Sequence, residues 1–255
     1  MAMIDVLTDK TFVRPVVNFF QRSDIQANLD LLRGRLPSSA QIFIAGGAIR
    51  NLVIDILHGN PPPTRDIDIF IGGLAENDFL SGLLSDQQTE LTDLRGVRWY
   101  PHSSQLVFDL SRLSDFLVIR RGHLAPTLEN LLAGIDFTMN AIVYDPFHAR
   151  LMEKGCITAV YQRLIDFNSL FIPDKRLIAY RIMLMGHKTG FIYSRKVFRY
   201  MRMQLELDAL THVKNLFTSK YGKSMAASIL NTYTALCRWD SYEDYLAANR
   251  SNHNG

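Results

Sequence analysis

The chain of 255 residues carries 47% hydrophobic and 21% charged side chains, the balance of a globular protein with enough length for one large core or two smaller ones. No apolar run approaches the roughly 20 residues that span a bilayer, and the opening MAMIDVLTDKTFVRP lacks the basic-then-apolar pattern of a secretory leader, so a cytoplasmic protein without a membrane partner is expected. Cys156 and Cys237 stand apart with no CxxC spacing, which excludes a disulfide framework and a zinc site.

Residues 16–35 (VVNFFQRSDIQANLDLLRGR) read as one helix, with Gly34 and Pro37 near its end. QIFIAGG follows as a buried strand that runs into a sharp turn. In AIRNLVIDILHG, Ile49, Leu52, Val53, Ile56 and Leu57 recur at helical spacing, and Gly59 can close that helix. Prolines 61–63 impose a stiff loop. RDIDIFIGG alternates strictly, placing Asp66, Asp68 and Phe70 on one strand face and Ile67, Ile69 and Ile71 on the other. QLVFDLSRL and FTMNAIVYD read as two further strands, with helices at Asn77–Leu84 and Pro126–Ala133 between them. Residues 74–105 otherwise show no chemistry. DKRLIAYRIMLMGHKTG is a helix that Gly190 could cap, and helical stretches follow near 194–204, 207–218, 221–236 and 240–249. The predicted fold class is α+β: a mixed sheet with flanking helices over residues 1–165, then an all-helical domain over 166–255.

One constellation stands out. A Gly-Gly turn opens a helix, and about 20 residues later an Asp-x-Asp strand follows. Gly46 and Gly47 let the backbone approach a bulky anion, since no side chain intervenes. The helix that starts there aims free N–H groups and its dipole at that anion. Asp66 and Asp68, two apart on a strand, can share a pair of Mg²⁺ ions. No Gly-Lys-Ser/Thr follows the glycines, so they do not form a Walker loop. Phe70 and the missing Gly and Glu rule out an EF-hand.

GGAIRN followed by RDIDIFI resembles the head domain of the poly(A) polymerase and tRNA CCA-adding nucleotidyltransferase superfamily, in its bacterial-type branch. IDFTMNAIVYD is similar to that family's RRDFTxNA segment. FIPDKRLIAYRIMLMGHKTGF more loosely resembles its Glu-Asp-x-x-Arg helix and closing Gly-Phe. The resemblance covers roughly residues 40–195. It implies a nucleotidyltransferase-type sheet, Mg²⁺ (or Mn²⁺) as cofactor and a nucleoside triphosphate as substrate. Gly46 and Gly47 would contact the triphosphate, with Arg50 and Arg65 nearby, and Asp66 and Asp68 would ligate the metals. Asp109 is the candidate for the third carboxylate that the broader superfamily often adds. Asp136 and Asn140 would shape the nucleotide pocket, and Asp174, Arg176 and Arg181 fall in the third motif. Three departures are visible. Asn51 stands where the family has Asp, Gly134 and Ile135 replace an Arg pair, and nothing basic follows Asp174 at the Glu-Asp-x-x-Arg step. The base-reading pattern of CCA addition is therefore broken here, and the chain reads as a minimal or divergent member.

Net charge is +3, unevenly spread. From Asp174 onward 13 basic minus 6 acidic side chains give +7, leaving 15 minus 19, or −4, before it. In SRKVFRYMRM, Arg195, Lys196, Arg199 and Arg202 make a stripe suited to RNA phosphates, with Phe198 and Tyr200 available either to stack on bases or to pack in the core. The expected activity is transfer of a nucleoside monophosphate to an RNA 3′ end. Toxin-type transfer to a protein or small molecule, or a catalytically silent nucleotide- or RNA-binding module, are the alternatives.

Overall fold

The computed structural model describes residues 4–75, 80–169, 174–203 and 207–251. After the short edge strand β1 (Asp5–Leu7), Asp9 caps α1 (Lys10–Phe20) by accepting from Thr11 N at 2.9 Å. The single helix expected over 16–35 is in fact two. At Arg22 ψ swings to 137°, and α2 (Ser23–Arg35) restarts with Asp24 in its first turn. The break lets Val16 and Phe20 of α1, and Ile25, Leu29 and Leu32 of α2, enter one core.

β2 (Gln41–Ala45) leads directly into α3 (Gly47–His58), which Gly59 ends in the left-handed conformation. β3 (Asp66–Gly72) follows the proline loop with the predicted alternation: Ile67, Ile69 and Ile71 are buried, Phe70 and Asp68 half-buried and Asp66 exposed. α4 (Leu80–Leu83) covers the end of the helix expected from Asn77, whose start lies outside the described residues. The stretch that carried no sequence signal supplies a hairpin, β4 (Thr89–Leu91) and β5 (Val97–Trp99), which adds to β6 (Val107–Arg112). α5 (Leu117–Gly122) and α6 (Leu128–Gly134) come next. The strand expected over FTMNAIVYD begins only at Ile142. Thr138–Asn140 form a 3-10 turn, and β7 (Ile142–Asp145) then pairs with β8 (Arg150–Glu153). Asp136 causes the difference, because its carboxylate holds Phe137 N at 2.8 Å and Asn140 Nδ2 at 3.1 Å and so curls the backbone.

The strands form one mixed sheet in the order β1-β8-β7-β2-β3-β6-β5-β4, with β3 and β6 its parallel pair. β2 sits near the centre, and its alternate residues serve two cores. Ile42 and Ile44 face the cluster under α1–α3, while Phe43 and Ala45 face a smaller one with Ile119, Leu131 and Leu132 from α5 and α6.

α7 (Cys156–Tyr161) leads to β9 (Leu164–Ile165), whose parallel partner is β10 (Ile192–Tyr193), so strand pairing continues past the point where the sequence showed only helices. α8 (Lys175–Thr189), which lies between them, ends at Gly190 as expected. Then come α9 (Arg195–Met203), α10 (Leu207–Cys237), broken at Gly222 where φ is 79° and ψ 166°, and α11 (Tyr242–Ser251). The main apolar cluster runs without interruption from Val16 to Phe217, Ile229 and Leu236, so the C-terminal helices share the core of the sheet. Among the described residues no helix is long and apolar enough to cross a membrane.

Gly186 of α8 is closely packed. A Cβ there would lie 1.9 Å from the Tyr193 hydroxyl, and Tyr193 is only 3% exposed. Gly186→Ala is therefore expected to lower stability by about 1–3 kcal/mol, through overpacking that a buried ring cannot relieve. Urea denaturation of the variant would measure this.

Candidate active site

The site assembles where β2 hands over to α3. In the antiparallel β2–β3 ladder Ala45 pairs with Asp68, so the next residue, Gly46, turns the chain immediately beside that carboxylate. Gly46 has φ 76° and ψ −126°, a conformation that side chains other than glycine rarely adopt. A Cβ on it would stand 3.5 Å from Asp68 Oδ2. The backbone is thus bent against the acid, and the unpaired N–H groups of the first turn of α3 open beside it. Gly46→Ala is expected to cost about 1–3 kcal/mol of folding stability through backbone strain, a loss that thermal denaturation would reveal.

Asp66, Asp68 and Phe70 share a face of β3. Phe70 packs edge-on against Phe116, and the cover thins toward Asp66, which is exposed. In the parallel ladder Asp68 is the direct neighbour of Asp109 on β6. Burial, then the charges of Asp66 and Asp109, push the Asp68 carboxyl from its ordinary 3.8 up to about 7, against the pull of Arg181 and Arg50. Carboxylates crowded in this way suit a divalent cation, which would relieve their repulsion. Among the described residues, however, no group of three His, Cys, Asp or Glu side chains is placed to hold an ion. Asp109 is bonded through both oxygens to Arg98 of β5 at 2.8 and 2.7 Å.

Behind the glycine turn lies a buried polar chain. Arg50 is 4% exposed. Its guanidinium donates to Asn140 Oδ1 at 2.6 Å, to Asn51 Oδ1 at 2.8 and 3.2 Å and toward Met185 Sδ at 3.3 Å. Its hydrogen-bond partners are neutral, and burial lowers its pKa from the ordinary 12.5. Asn51 passes the chain on to Thr64 Oγ1 at 3.2 Å, just ahead of β3. Asn140 in turn donates to Asp136, whose other oxygen accepts a short hydrogen bond from Arg181 Nε on α8. The chain Arg50–Asn140–Asp136–Arg181 thus ties the glycine turn to the first C-terminal helix. Asp136 and Arg181 were each singled out in the sequence, but their pairing was not.

The remaining predicted residues are scattered. Arg65 is exposed, and its carbonyl accepts from Val107 N at 3.0 Å. Asp174 is the N-cap of α8, with one oxygen accepting from the backbone N–H groups of Arg176 and Leu177 at 2.9 and 3.0 Å. Pro173, just before it in the third motif, lies outside the described residues. Arg176 is exposed on the first turn of that helix. On α9, Arg195 bonds Glu243 and lies 4.8 Å from the Tyr242 ring, while Arg202 reaches the carbonyls of Trp239 and Asp240. Lys196 and Arg199 are exposed. Phe198 and Tyr200 go to the core, at 4% and 5% exposure, against Tyr245 and Phe167 respectively, so base stacking is closed to them. Sequence reading missed Arg98 altogether. The inward Val97 and Trp99 on either side of it were the signal for a strand that would carry it outward.

No protein-family model and no curated protein matches the chain. Solved structures do match in fold. A CCA-adding enzyme with ATP superposes over 92% of this chain and 55% of its own, with a TM-score of 0.63 at 16% identity. The Thermotoga maritima CCA-adding enzyme complexed with tRNA matches over 92% and 55%, with a TM-score of 0.59 at 15% identity. The Bacillus stearothermophilus CCA-adding enzyme in complex with CTP matches over 82% and 52%, with a TM-score of 0.53 at 16% identity. The chain spans about half the length of these structures. Its fold is theirs, as the sequence resemblance implied.

Proposed function

We propose that the chain transfers a nucleoside monophosphate from a nucleoside triphosphate to a hydroxyl, releasing pyrophosphate, with an RNA 3′ end as acceptor. The observation that supports this best is the meeting of three features at one end of the sheet. They are the Gly46–Gly47 turn, the opening end of α3 and the Asp66–Asp68 pair. In this reading the first-turn N–H groups of α3 bind the phosphates. Arg50 acts from behind, keeping the turn rigid and lending positive charge through the fold. Asp66 and Asp68 would hold Mg²⁺ or Mn²⁺, which when bound supplies Lewis-acid polarisation of the phosphoryl oxygens and the acceptor hydroxyl. In this reading Arg65 and Arg176, both exposed, would meet nucleotide or acceptor phosphates. Residues 1–165 would carry the transfer chemistry and 166–255 would grip the acceptor. Lys196 and Arg199, flanked by Arg195 and Arg202, offer the phosphate-tracking surface. The fold shared with enzymes seen in complex with ATP, CTP and tRNA is consistent with this choice of partners.

Incubation of the protein with each α-labelled triphosphate, Mg²⁺ and a pool of small RNAs tests the reading. Label in RNA is the expected result, and the labelled triphosphate names the base. Pyrophosphate release with label on protein or small molecules would overturn the acceptor while keeping the chemistry. No release with any acceptor would overturn the enzyme reading, and thermal stabilisation by ATP without Mg²⁺ dependence would then identify a silent binding module.

A further inference from the structure

A row of charges crosses the sheet beside Asp68. In register, Glu90 of β4 faces Arg98 of β5, Arg98 faces Asp109 of β6, and Asp109 faces Asp68 of β3. One cation therefore stands in a line of three carboxylates, and geometry shows which of them it serves. Arg98 Nε donates to Asp109 Oδ1 at 2.8 Å and Nη2 to Oδ2 at 2.7 Å, a two-pronged bond that engages both carboxylate oxygens. Glu90 meanwhile accepts from the Tyr100 hydroxyl at 2.9 Å. The Asp109 side chain is 21% exposed and that of Arg98 43%, so the pair is partly sheltered from water.

We propose that Arg98 is a positioning residue that holds Asp109 out of the divalent-cation set, leaving Asp66 and Asp68 as the ligating pair. The inference rests on the metal reading given above. Backbone register alone would place Asp109 beside Asp68, ready to complete a three-carboxylate cage. The guanidinium fork instead occupies both Asp109 oxygens, which agrees with the lack of a three-ligand cluster among the described residues. Because hard cations gain affinity with each added carboxylate, Arg98 sets the affinity of the site below what its three acids could reach. The ion can then be held chiefly when the triphosphate brings its own oxygens.

The test is a double-mutant cycle read by Mn²⁺ binding, followed by electron paramagnetic resonance of free Mn²⁺ without nucleotide. Wild type, Arg98→Gln, Asp109→Asn and the double variant are compared, with Asp66→Ala/Asp68→Ala as the anchor. Arg98→Gln is expected to bind Mn²⁺ at least about fivefold tighter, Asp109→Asn to stay within about twofold of wild type, and the double variant to fall back to the Asp109→Asn value. Arg98→Lys keeps the charge and loses the fork, so it serves the same cycle should Arg98→Gln not fold. A tenfold weakening in Asp109→Asn alone, or no tightening in Arg98→Gln, would overturn the proposal. Mn²⁺ binding unchanged in Asp66→Ala/Asp68→Ala would instead overturn the metal reading beneath it.

Discussion

Replacing Asp66 and Asp68 together by Ala is expected to lower nucleotidyl transfer by at least about 10³-fold while leaving the protein folded. Metal assistance to phosphoryl transfer is worth several kcal/mol, and each 1.36 kcal/mol is a factor of ten in rate. Single-turnover transfer from labelled triphosphate is the measurement, and activity within tenfold of wild type would sink the assignment. Stability should move the other way. Asp68 is raised in the folded state to about 7 from 3.8, so its contribution to stability is fully present below pH 3.8 and is lost as pH climbs through 7. In the metal-free protein Asp68→Asn removes that penalty. The full shift corresponds to about 4 kcal/mol, and partial exposure of the site reduces the expected gain at pH 8 to about 1–2 kcal/mol. The advantage should vanish near pH 4. Denaturation in the presence of a chelator at the two pH values separates this from any effect of metal.

Asp136→Ala is expected to lower folding stability by about 2–4 kcal/mol, more than any surface substitution in the chain. Burial by itself would push this carboxyl upward. The charge and hydrogen bond of Arg181, together with Asn140 and Phe137 N, overcome that and hold it below the ordinary 3.8. Removing the side chain strands the Phe137 N–H, frees Asn140 and leaves Arg181 without its carboxylate. Arg181 is 39% exposed and can turn to water, which keeps the loss short of that for a fully enclosed pair. The sign with pH follows from the depressed value. The contribution of Asp136 is present above pH 3.8 and fades as pH falls through its folded pKa, so wild type and variant should converge in acid. Guanidinium titrations at pH 7 and pH 3 measure both numbers. Equal stability at pH 7 would show that the link between glycine turn and α8 carries no free energy.

The legible parts of the site are those encoded within one element. Asp66 and Asp68 share a face because strand side chains alternate, and the turn at Gly46 follows from a residue with no Cβ. The helix after it was visible in apolar spacing, as was α8 with its Asp174 start and Gly190 stop. Failures came where the backbone departed from the local pattern. Apolar residues run on through 16–35, yet the backbone at Arg22 splits the helix. FTMN has strand-like neighbours, yet Asp136 folds it into a turn.

The sequence by itself determined the fold class, the glycine turn and the acid pair, since periodicity of 2.0 or 3.6 and the steric freedom of glycine are properties of neighbours along the chain. Tertiary structure alone decided which distant groups meet. Sheet order sets Asp109 beside Asp68 and then gives it to Arg98, and the packing of α8 brings Arg181 to Asp136, 45 residues away. It also sent Phe198 inward onto Tyr242 and Tyr245, and Tyr200 onto Phe167, because α9 had a hydrophobic face to cover. Hydrogen bonds and ion pairs depend on distance in space, and no pattern of residue types along the chain specifies that distance.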